Sequence, residues 1–203
     1  MLKNKEYTNR YTIVYYEVME DFQISIPEYL ILNEMARQAK ANDYKKGLKH
    51  LKDITGMSRN TIYKYIERLI TKEHIEKEKT TYHLHYDVKE RFIPIGSQPK
   101  YLIIFHDVRK LYSLSITESA LLYLFYSFSR SSFLNGGTNA PCRVYIQILE
   151  ITERAYYDMK KKIINLNLIN CDGGNYVSVS PHIIELFDQK VQYINECSKS
   201  SDE

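Results

Sequence analysis

A basic run between Lys40 and Lys72 contains the residue types that bind a polyanion. Nine lysines and arginines stand there against three acidic residues, whereas the whole chain of 203 residues has 28 basic and 25 acidic ones. A local excess of six positive charges favours a phosphate backbone as the partner. The basic residues are Lys40, Lys45, Lys46, Lys49, Lys52, Arg59, Lys64, Arg68 and Lys72.

The residues that follow Ser58 have the spacing of a helix with one buried face. Ile62, Ile66 and Leu69 recur once per helical turn, so the residues between them must face outward. Ser58 stands directly before this pattern and is a candidate N-cap. The spacing therefore predicts a capped amphipathic helix whose polar face is available to a partner.

The outward face of this predicted helix has side chains that can read bases. Asn60 can bond adenine at two positions, and Arg59 or Lys64 can bind guanine or phosphate. Hydroxyls at Ser58 and Thr61, next to the first helical amides, suit a phosphate. The complete set of DNA-binding candidates in this half of the chain is Lys46, Lys49, Ser58, Arg59, Asn60, Thr61, Tyr63, Lys64, Arg68, Lys77, Lys79 and Thr80.

The predicted elements before and after this helix would position it in the fold. Residues 48–54 predict a short helix, and the tight turn at Thr55, Gly56 and Met57 joins it to the next one, which is a helix-turn-helix pattern. Residues 73–86 predict a β-hairpin whose second arm, residues 81–86, alternates between apolar and polar side chains. Its charged turn is Glu78, Lys79 and Thr80, and Lys77 directly precedes that turn. The hairpin could lie along a DNA backbone or be an ordinary solvated turn.

This order of elements resembles the winged-helix DNA-binding domain. The resemblance covers residues 25–86 and is strongest over residues 54–62, which are similar to the turn and recognition-helix start of bacterial winged-helix regulators. It implies that the helix after Ser58 enters the major groove and that the hairpin is a wing.

An internal repeat extends this interpretation to the second half. Residues 13–39 align with residues 103–129, and each copy predicts a strand, a turn and an amphipathic helix. Ser25 with Glu28, and Ser115 with Glu118, have the spacing of capping boxes. After an apparent insertion of four residues, Ser58 aligns with Thr152.

The second copy has a more mixed charge on its outward helix face. Its DNA-binding candidates are Arg154, Tyr157, Lys161 and Lys162. Glu153 and Asp158 lie near the start of the same helix and repel phosphate. DNA contact and a protein interface are therefore both open for this copy.

The predicted fold is α+β and mostly helical, with two tandem winged helix-turn-helix domains related by the repeat. The first domain covers residues 10–91, a linker with two prolines covers 92–100, and the second domain covers 101–195 and ends in an amphipathic helix. Residues 196–203 are predicted to be a frayed tail. Two such domains also resemble plasmid or phage replication initiators.

A nicking enzyme is the rival chemistry. The pattern from His83 to His85 resembles the metal motif of rolling-circle endonucleases, and Tyr157 with Lys160 resembles their nucleophile motif. However, the histidines fall on a short hairpin arm, where we expect them to be exposed, and the tyrosine falls in the repeat of the recognition helix. We expect no enzyme activity, no metal and no cofactor.

The expected function is sequence-specific binding of double-stranded DNA by a transcription regulator. The alternatives are a replication initiator of a mobile element and a protein-interaction module, and a homodimer or another protein partner stays open. The most apolar stretch, residues 120–128, is shorter than the roughly 18 residues that suggest a membrane span. The start lacks a signal-peptide pattern, and three cysteines without a C-x-x-C pair fit a reducing compartment, so we expect a cytoplasmic protein.

Overall fold

A computed structural model describes residues 11–40, 42–85, 88, 100–131, 136–172 and 176–199. These residues form an α+β protein in which helices dominate and the strands are short and antiparallel. One compact unit lies within residues 10–117, and a second begins at Glu118. The predicted linker lies outside the described residues except for Lys100, and so do residues 173–175 and the last four residues of the predicted tail.

The first unit begins with a strand and two helices and continues through a helix pair into a hairpin. Its elements in chain order are β1 (Tyr11–Tyr15), α1 (Tyr16–Phe22), α2 (Ile26–Gln38), β2 (Asp43–Tyr44), α3 (Gly47–Thr55), α4 (Arg59–Thr71), β3 (Ile75–Glu78), β4 (Thr81–Leu84), β5 (Tyr101–Phe105) and α5 (His106–Leu111).

The short helices α1 and α5 occupy the positions where the sequence pattern predicted only a turn. Both begin without a side-chain cap, so the sequence carries no helix-start signal there. α1 is followed by Gln23, whose φ of 51° is left-handed, and Ser113, shortly after α5, has the same φ. The left-handed residues redirect the chain into the following helix in both copies.

α2 starts at the predicted capping box. The Glu28 carboxylate accepts hydrogen bonds from the Ser25 amide at 2.8 Å and from the Ser25 hydroxyl at 2.7 Å. Towards the opposite end of α2, the buried Glu34 carboxylate lies 2.6 Å from Nε2 of His50 in α3 and forms an ion pair with Arg37. These polar contacts fix α2 at its start and tie α3 to it.

Two small sheets complete the first unit. In one, β4 lies between β2 and β3, so His83 stands opposite Asp43 on one side and Glu76 on the other. The second sheet pairs β1 with β5 over five residues, from Tyr11 opposite Phe105 to Tyr15 opposite Tyr101. This pairing places β5 and α5, which belong to the second sequence copy, in the same compact unit as the first copy.

The second unit repeats the helix, strand, helix pair and hairpin order. Its elements are α6 (Ile116–Ser131, in this unit from Glu118), β6 (Gly137–Thr138), α7 (Cys142–Leu149), α8 (Glu153–Asn165), β7 (Ile169–Asn170), β8 (Val177–Val179) and α9 (Pro181–Lys199). β8 lies between β6 and β7. α9 continues to Lys199, so it includes the first residues of the predicted tail.

Aromatic packing forms the core of the second unit. Phe125 of α6 lies 4.8 Å from the Tyr145 ring of α7, and Tyr145 stacks at 5.7 Å on Tyr156 of α8. The ring of Phe187, on α9, lies edge-on to Tyr126 at 5.0 Å. These rings fix which face of α8 is buried. No helix among the described residues is long and apolar enough to cross a membrane.

We predict that His106 makes folding stability depend on pH. His106 is 4% exposed, and burial, reinforced by the nearby Arg109 and Lys110 charges, lowers its pKa to about 4 from the ordinary 6.5. The folded state keeps this imidazole neutral while the unfolded chain protonates it. The free energy of unfolding should therefore fall by up to about 3 kcal/mol as the pH falls from 6.5 to 4. Above pH 6.5 the contribution of His106 to the free energy of unfolding should be constant.

Urea unfolding of the wild-type chain and of His106→Gln at several pH values measures this contribution. Glutamine keeps a donor for the Thr12 hydroxyl, which lies 2.9 Å from Nε2 of His106, but it does not titrate. The difference in unfolding free energy between the two proteins should shrink towards acid pH. An unchanged difference between neutral pH and the acid end of this range would contradict the assignment.

Candidate nucleic-acid interface

The start of α4 is capped as the sequence predicts. Ser58 is extended, and its hydroxyl accepts the amide of Thr61 at 3.2 Å. The hydroxyls of Ser58 and Thr61 also bond each other at 2.8 Å. The amides of Arg59 and Asn60 have no partner within the helix, since the first turn of an α-helix leaves its donors unpaired. These two amides, at the positive end of the helix dipole, are the ones that can meet an anion.

The exposed face of α4 carries the predicted base-reading residues. Ile62, Ile66 and Leu69 are at most 2% exposed, so their side chains fix the opposite face towards solvent. On that exposed face lie Arg59, Asn60, Tyr63, Lys64 and Arg68, and between them Glu67 and Thr71. Only Thr61 among the predicted residues of this helix is half-buried.

Two of the exposed arginines pack against tyrosines of the same helix. The guanidinium carbon of Arg59 lies 5.9 Å from the Tyr63 ring centroid, and that of Arg68 lies 5.5 Å from the Tyr65 ring centroid. Such contacts restrict the arginine side chains without neutralising them, because an aromatic ring carries no net charge. Arg59 and Arg68 thus keep their positive charge at opposite ends of the exposed face.

α3 and the start of α4 border an open cleft. The cleft has a volume of about 450 Å³ and is lined by Leu48, Lys49, Lys52 and Arg59. Most of the surface that lines the cleft is apolar, but three of its four lining residues carry a positive charge, which attracts a phosphate group to this part of the surface. Lys52 belongs to the basic run but was not among the predicted site residues. Its spacing of three from Lys49 on a helix would have been a signal for it.

Some cations of the basic run already have partners. Lys45 pairs with Asp43 at 3.1 Å, and the Lys46 ammonium bonds the Gln38 side chain. Within the described part of the chain, no ion pair joins an acidic residue to the remaining cations of α3 and α4, which are Lys49, Lys52, Arg59, Lys64 and Arg68. These five cations of α3 and α4 are exposed and can meet an external anion.

Lys72 is the cation of the run with a clear internal role. Its ammonium lies 3.1 Å from Oε2 of the buried Glu28 and donates to the carbonyl of Gln23 at 2.7 Å. Burial alone would raise the pKa of Glu28, but the hydrogen bonds from Ser25 and Lys72 hold that pKa below its ordinary value. Lys72 therefore joins the end of α4 to the start of α2.

The β3–β4 hairpin is more mixed in charge than the basic run. Lys79 and Thr80 are exposed at its tip, and Lys77 is exposed within β3. Glu76 and Glu78 are exposed on the same strand as Lys77. The hairpin thus offers alternating charges, which favours a few specific contacts over general attraction to phosphate.

His83 has carboxylate partners and is not the fully exposed residue that the sequence predicts. Its Nδ1 lies 2.8 Å from Asp43, and its Nε2 lies 3.5 Å from Glu78. The bond from Lys45 and then that from His83 lower the pKa of Asp43. His85 is exposed. In the part of the chain that the structure covers, no three His, Cys, Asp or Glu side chains are placed to hold a metal ion.

The second unit presents a related but more neutral helix face. The Thr152 hydroxyl caps α8 by accepting the Ala155 amide at 3.2 Å. Arg154, Tyr157 and Lys161 are exposed as predicted. Arg154 lies 4.0 Å from the Asp158 carboxylate one turn later, so part of its charge is balanced on the same face.

Two predicted residues of α8 have partners within the unit. The Lys162 ammonium lies 2.7 Å from the largely buried carboxylate of Glu118, and Lys162 itself is half-buried. A hydrogen bond with Cys142 raises the pKa of Tyr157. Lys162 therefore corresponds in role to Lys72, and Tyr157 is an exposed aromatic group of the helix face.

Comparisons of the chain with protein-family models, with curated protein sequences and with solved structures found no match.

Proposed function

We propose that this protein binds double-stranded DNA sequence-specifically through two winged helix-turn-helix domains, and that α4 is the recognition helix of the first. The observation that carries the proposal is the exposed face of α4, where Asn60 and Lys64 stand beside Arg59 while the opposite face is buried. The order of helix, helix, turn, helix and hairpin supports the domain class.

A helix with such a face fits the dimensions and the chemistry of the major groove. The groove of B-DNA is roughly 12 Å wide, which admits one α-helix. Asn60 can donate to and accept from one adenine, and Arg59 or Lys64 can reach guanine or a phosphate. Ser58 and the free amides at the helix start favour a backbone phosphate on the groove edge.

The cleft between α3 and α4 supplies the sequence-independent part of binding. Lys49 and Lys52 are exposed on α3 and converge there with Arg59. We assign them to backbone phosphates, because lysines act as point charges and carry little base information. At the hairpin, Lys77, Lys79 and Thr80 would add contacts to the backbone or the minor groove.

The second unit is proposed as a weaker DNA-binding domain. Arg154, Tyr157 and Lys161 face outward on α8, and Asp158 can accept a hydrogen bond from a cytosine amino group. The balance of Arg154 by Asp158 also favours a second candidate function for this unit, which is a protein interface. For the whole chain we propose the role of a transcription regulator.

The first prediction tests the binding of phosphates. We expect the double variant Lys49→Ala, Lys64→Ala to bind a duplex more weakly. The slope of log affinity against log salt should also fall by about one unit for each phosphate that the variant no longer neutralises. Fluorescence anisotropy of a labelled duplex, measured between about 50 and about 300 mM salt, gives both quantities.

The matched control removes the same charge outside α3 and α4. Lys100 and Lys110 are exposed, one before β5 and one on α5. The double variant Lys100→Ala, Lys110→Ala should keep a slope close to that of the wild-type chain. If both double variants have the same slope, the basic run is only a solvated surface.

The second prediction concerns base readout by Asn60. A duplex is first selected from a random pool with the wild-type chain. Asn60→Ala should then lose about 1–3 kcal/mol of binding free energy on the selected duplex and much less on a random one, because an amide that bonds adenine distinguishes sequences. Asn195→Ala, at an exposed position of α9, is the control. Equal losses on both duplexes would assign Asn60 to a phosphate.

The third prediction decides whether the second unit also contacts DNA. If it does, the double variant Arg154→Ala, Lys161→Ala should shorten the hydroxyl-radical footprint of the full chain and weaken binding by more than one isolated contact, since the two domains are joined in one chain. The Lys100→Ala, Lys110→Ala chain again serves as the control. A footprint of unchanged length would assign the α8 face to a protein partner.

A further inference from the structure

Arg109 is a buried cation that no step of the proposed function uses. It lies on α5, in the second sequence copy, and is 6% exposed. Burial lowers the pKa of its guanidinium. Within the described residues, Nε and Nη2 of Arg109 have no hydrogen-bond partner. A buried charge of this kind is costly, so its position calls for a physical reason.

The guanidinium of Arg109 lies directly against Gly56. A Cβ added to Gly56 would lie 2.5 Å from Nη2, 2.8 Å from Nη1 and 3.1 Å from Cζ of Arg109. Any side chain at residue 56 would therefore force the guanidinium or the turn to move. The contact joins α5 to the turn of the helix-turn-helix pattern, although the two residues are far apart in the sequence.

Gly56 is the residue that sets the direction of the chain between α3 and α4. Its φ is 63°, in the left-handed region, and its amide donates to the carbonyl of Lys52 at 2.7 Å. Ser58, two residues after Gly56, is the N-cap of α4. A shift of Gly56 would therefore move the start of α4, where Arg59 and Asn60 lie.

Backbone pairing and a side-chain contact hold α5 against β1, so that α5 can position the turn at Gly56. It follows β5 directly, and β5 pairs with β1 along five residues. The Nε2 atom of His106, the first residue of α5, lies 2.9 Å from the Thr12 hydroxyl of β1. A continuous path of paired backbone and packed side chains thus leads from the β1–β5 sheet through Arg109 to Gly56.

We propose that Arg109 is a positioning residue for DNA recognition, which acts through Gly56 to hold the start of α4. This role rests on the proposed DNA-binding function. Arg109 lies at the turn and does not itself read bases. The second sequence copy thereby supports the recognition helix of the first copy.

A double-mutant cycle in the full chain tests this role. The four proteins are the wild-type chain, Gly56→Ala, Arg109→Ala and the combination of both. The backbone strain of an alanine at this φ is common to both backgrounds, but the added methyl group collides with the guanidinium only when Arg109 is present. Gly56→Ala should therefore weaken binding to the selected duplex by about tenfold in the wild-type background and by less than about threefold in the Arg109→Ala background.

Two further readouts separate positioning from general stability. Circular dichroism at the assay temperature checks that each variant is folded, since affinity is then independent of the unfolding free energy. The ratio of affinities for selected and random duplexes should fall in Gly56→Ala and in Arg109→Ala, because a displaced α4 loses base contacts before phosphate contacts. Arg109→Lys, which keeps the charge but not the planar group, should restore this ratio only in part.

The possible failures are distinguishable. If Gly56→Ala has the same effect in both backgrounds, or if the affinity ratio is unchanged, Arg109 does not position α4 and the inference is wrong. If the wild-type chain binds no duplex, the proposed function fails. In that case, hydrogen exchange at the amides of residues 56–60 still tests whether Arg109 holds the turn at Gly56. Faster exchange in Arg109→Ala than in the wild-type chain supports this contact, and unchanged exchange overturns it.

Discussion

The burial of one face of α4 is the constraint on which the rest of the first unit depends. Ile62, Ile66 and Leu69 are nearly inaccessible to solvent, and together they fix the rotation of the helix about its axis. Because the buried side is apolar and continuous, the polar side has a single orientation. The exposed positions of Asn60 and Lys64 follow from this packing, and so does the placement of Arg59 at the cleft shared with α3.

Local sequence patterns predicted the elements that carry the site. The cap at Ser58, the turn at Gly56 and the buried residues of α4 are each encoded within a few residues, so the sequence alone places them. The same is true of the capping box at Ser25 and of the β3–β4 hairpin. These predictions agree with the structure because local propensity and burial favour the same conformation there.

The features that the sequence did not reveal depend on residues far apart in the chain. The pairing of β1 with β5 leaves no local signal, because hydrophobic alternation identifies a strand but not its neighbour. The contact between Arg109 and Gly56 and the ion pair of Lys162 with Glu118 could not be predicted either, because no local pattern indicates which distant residues meet. β2 is only two residues long, and α1 has no side-chain cap, so neither gives a recognisable start signal.

The two units use one order of elements with different surface charge. In each unit, a lysine near the end of α4 or α8 reaches the glutamate at the start of the preceding long helix, as Lys72 does with Glu28 and Lys162 with Glu118. In the register that aligns Ser58 with Thr152, Lys162 falls on Arg68 and not on Lys72, so the two units make a similar ion pair from different helix positions while their exposed faces differ. Acidic residues on α8 reduce its attraction to phosphate. The second unit would therefore be the weaker of the two proposed DNA-binding domains.

A binding measurement with modified adenines shows directly whether α4 contacts an adenine in the major groove. Each adenine of the selected duplex is replaced in turn by 7-deaza-adenine, which keeps base pairing but removes the N7 acceptor from the major groove. If α4 lies in that groove with Asn60 on an adenine, one replacement should weaken binding of the wild-type chain by about tenfold and should not weaken Asn60→Ala further. If no replacement weakens binding, or if every replacement weakens binding of both proteins equally, Asn60 of α4 does not contact the N7 atom of an adenine.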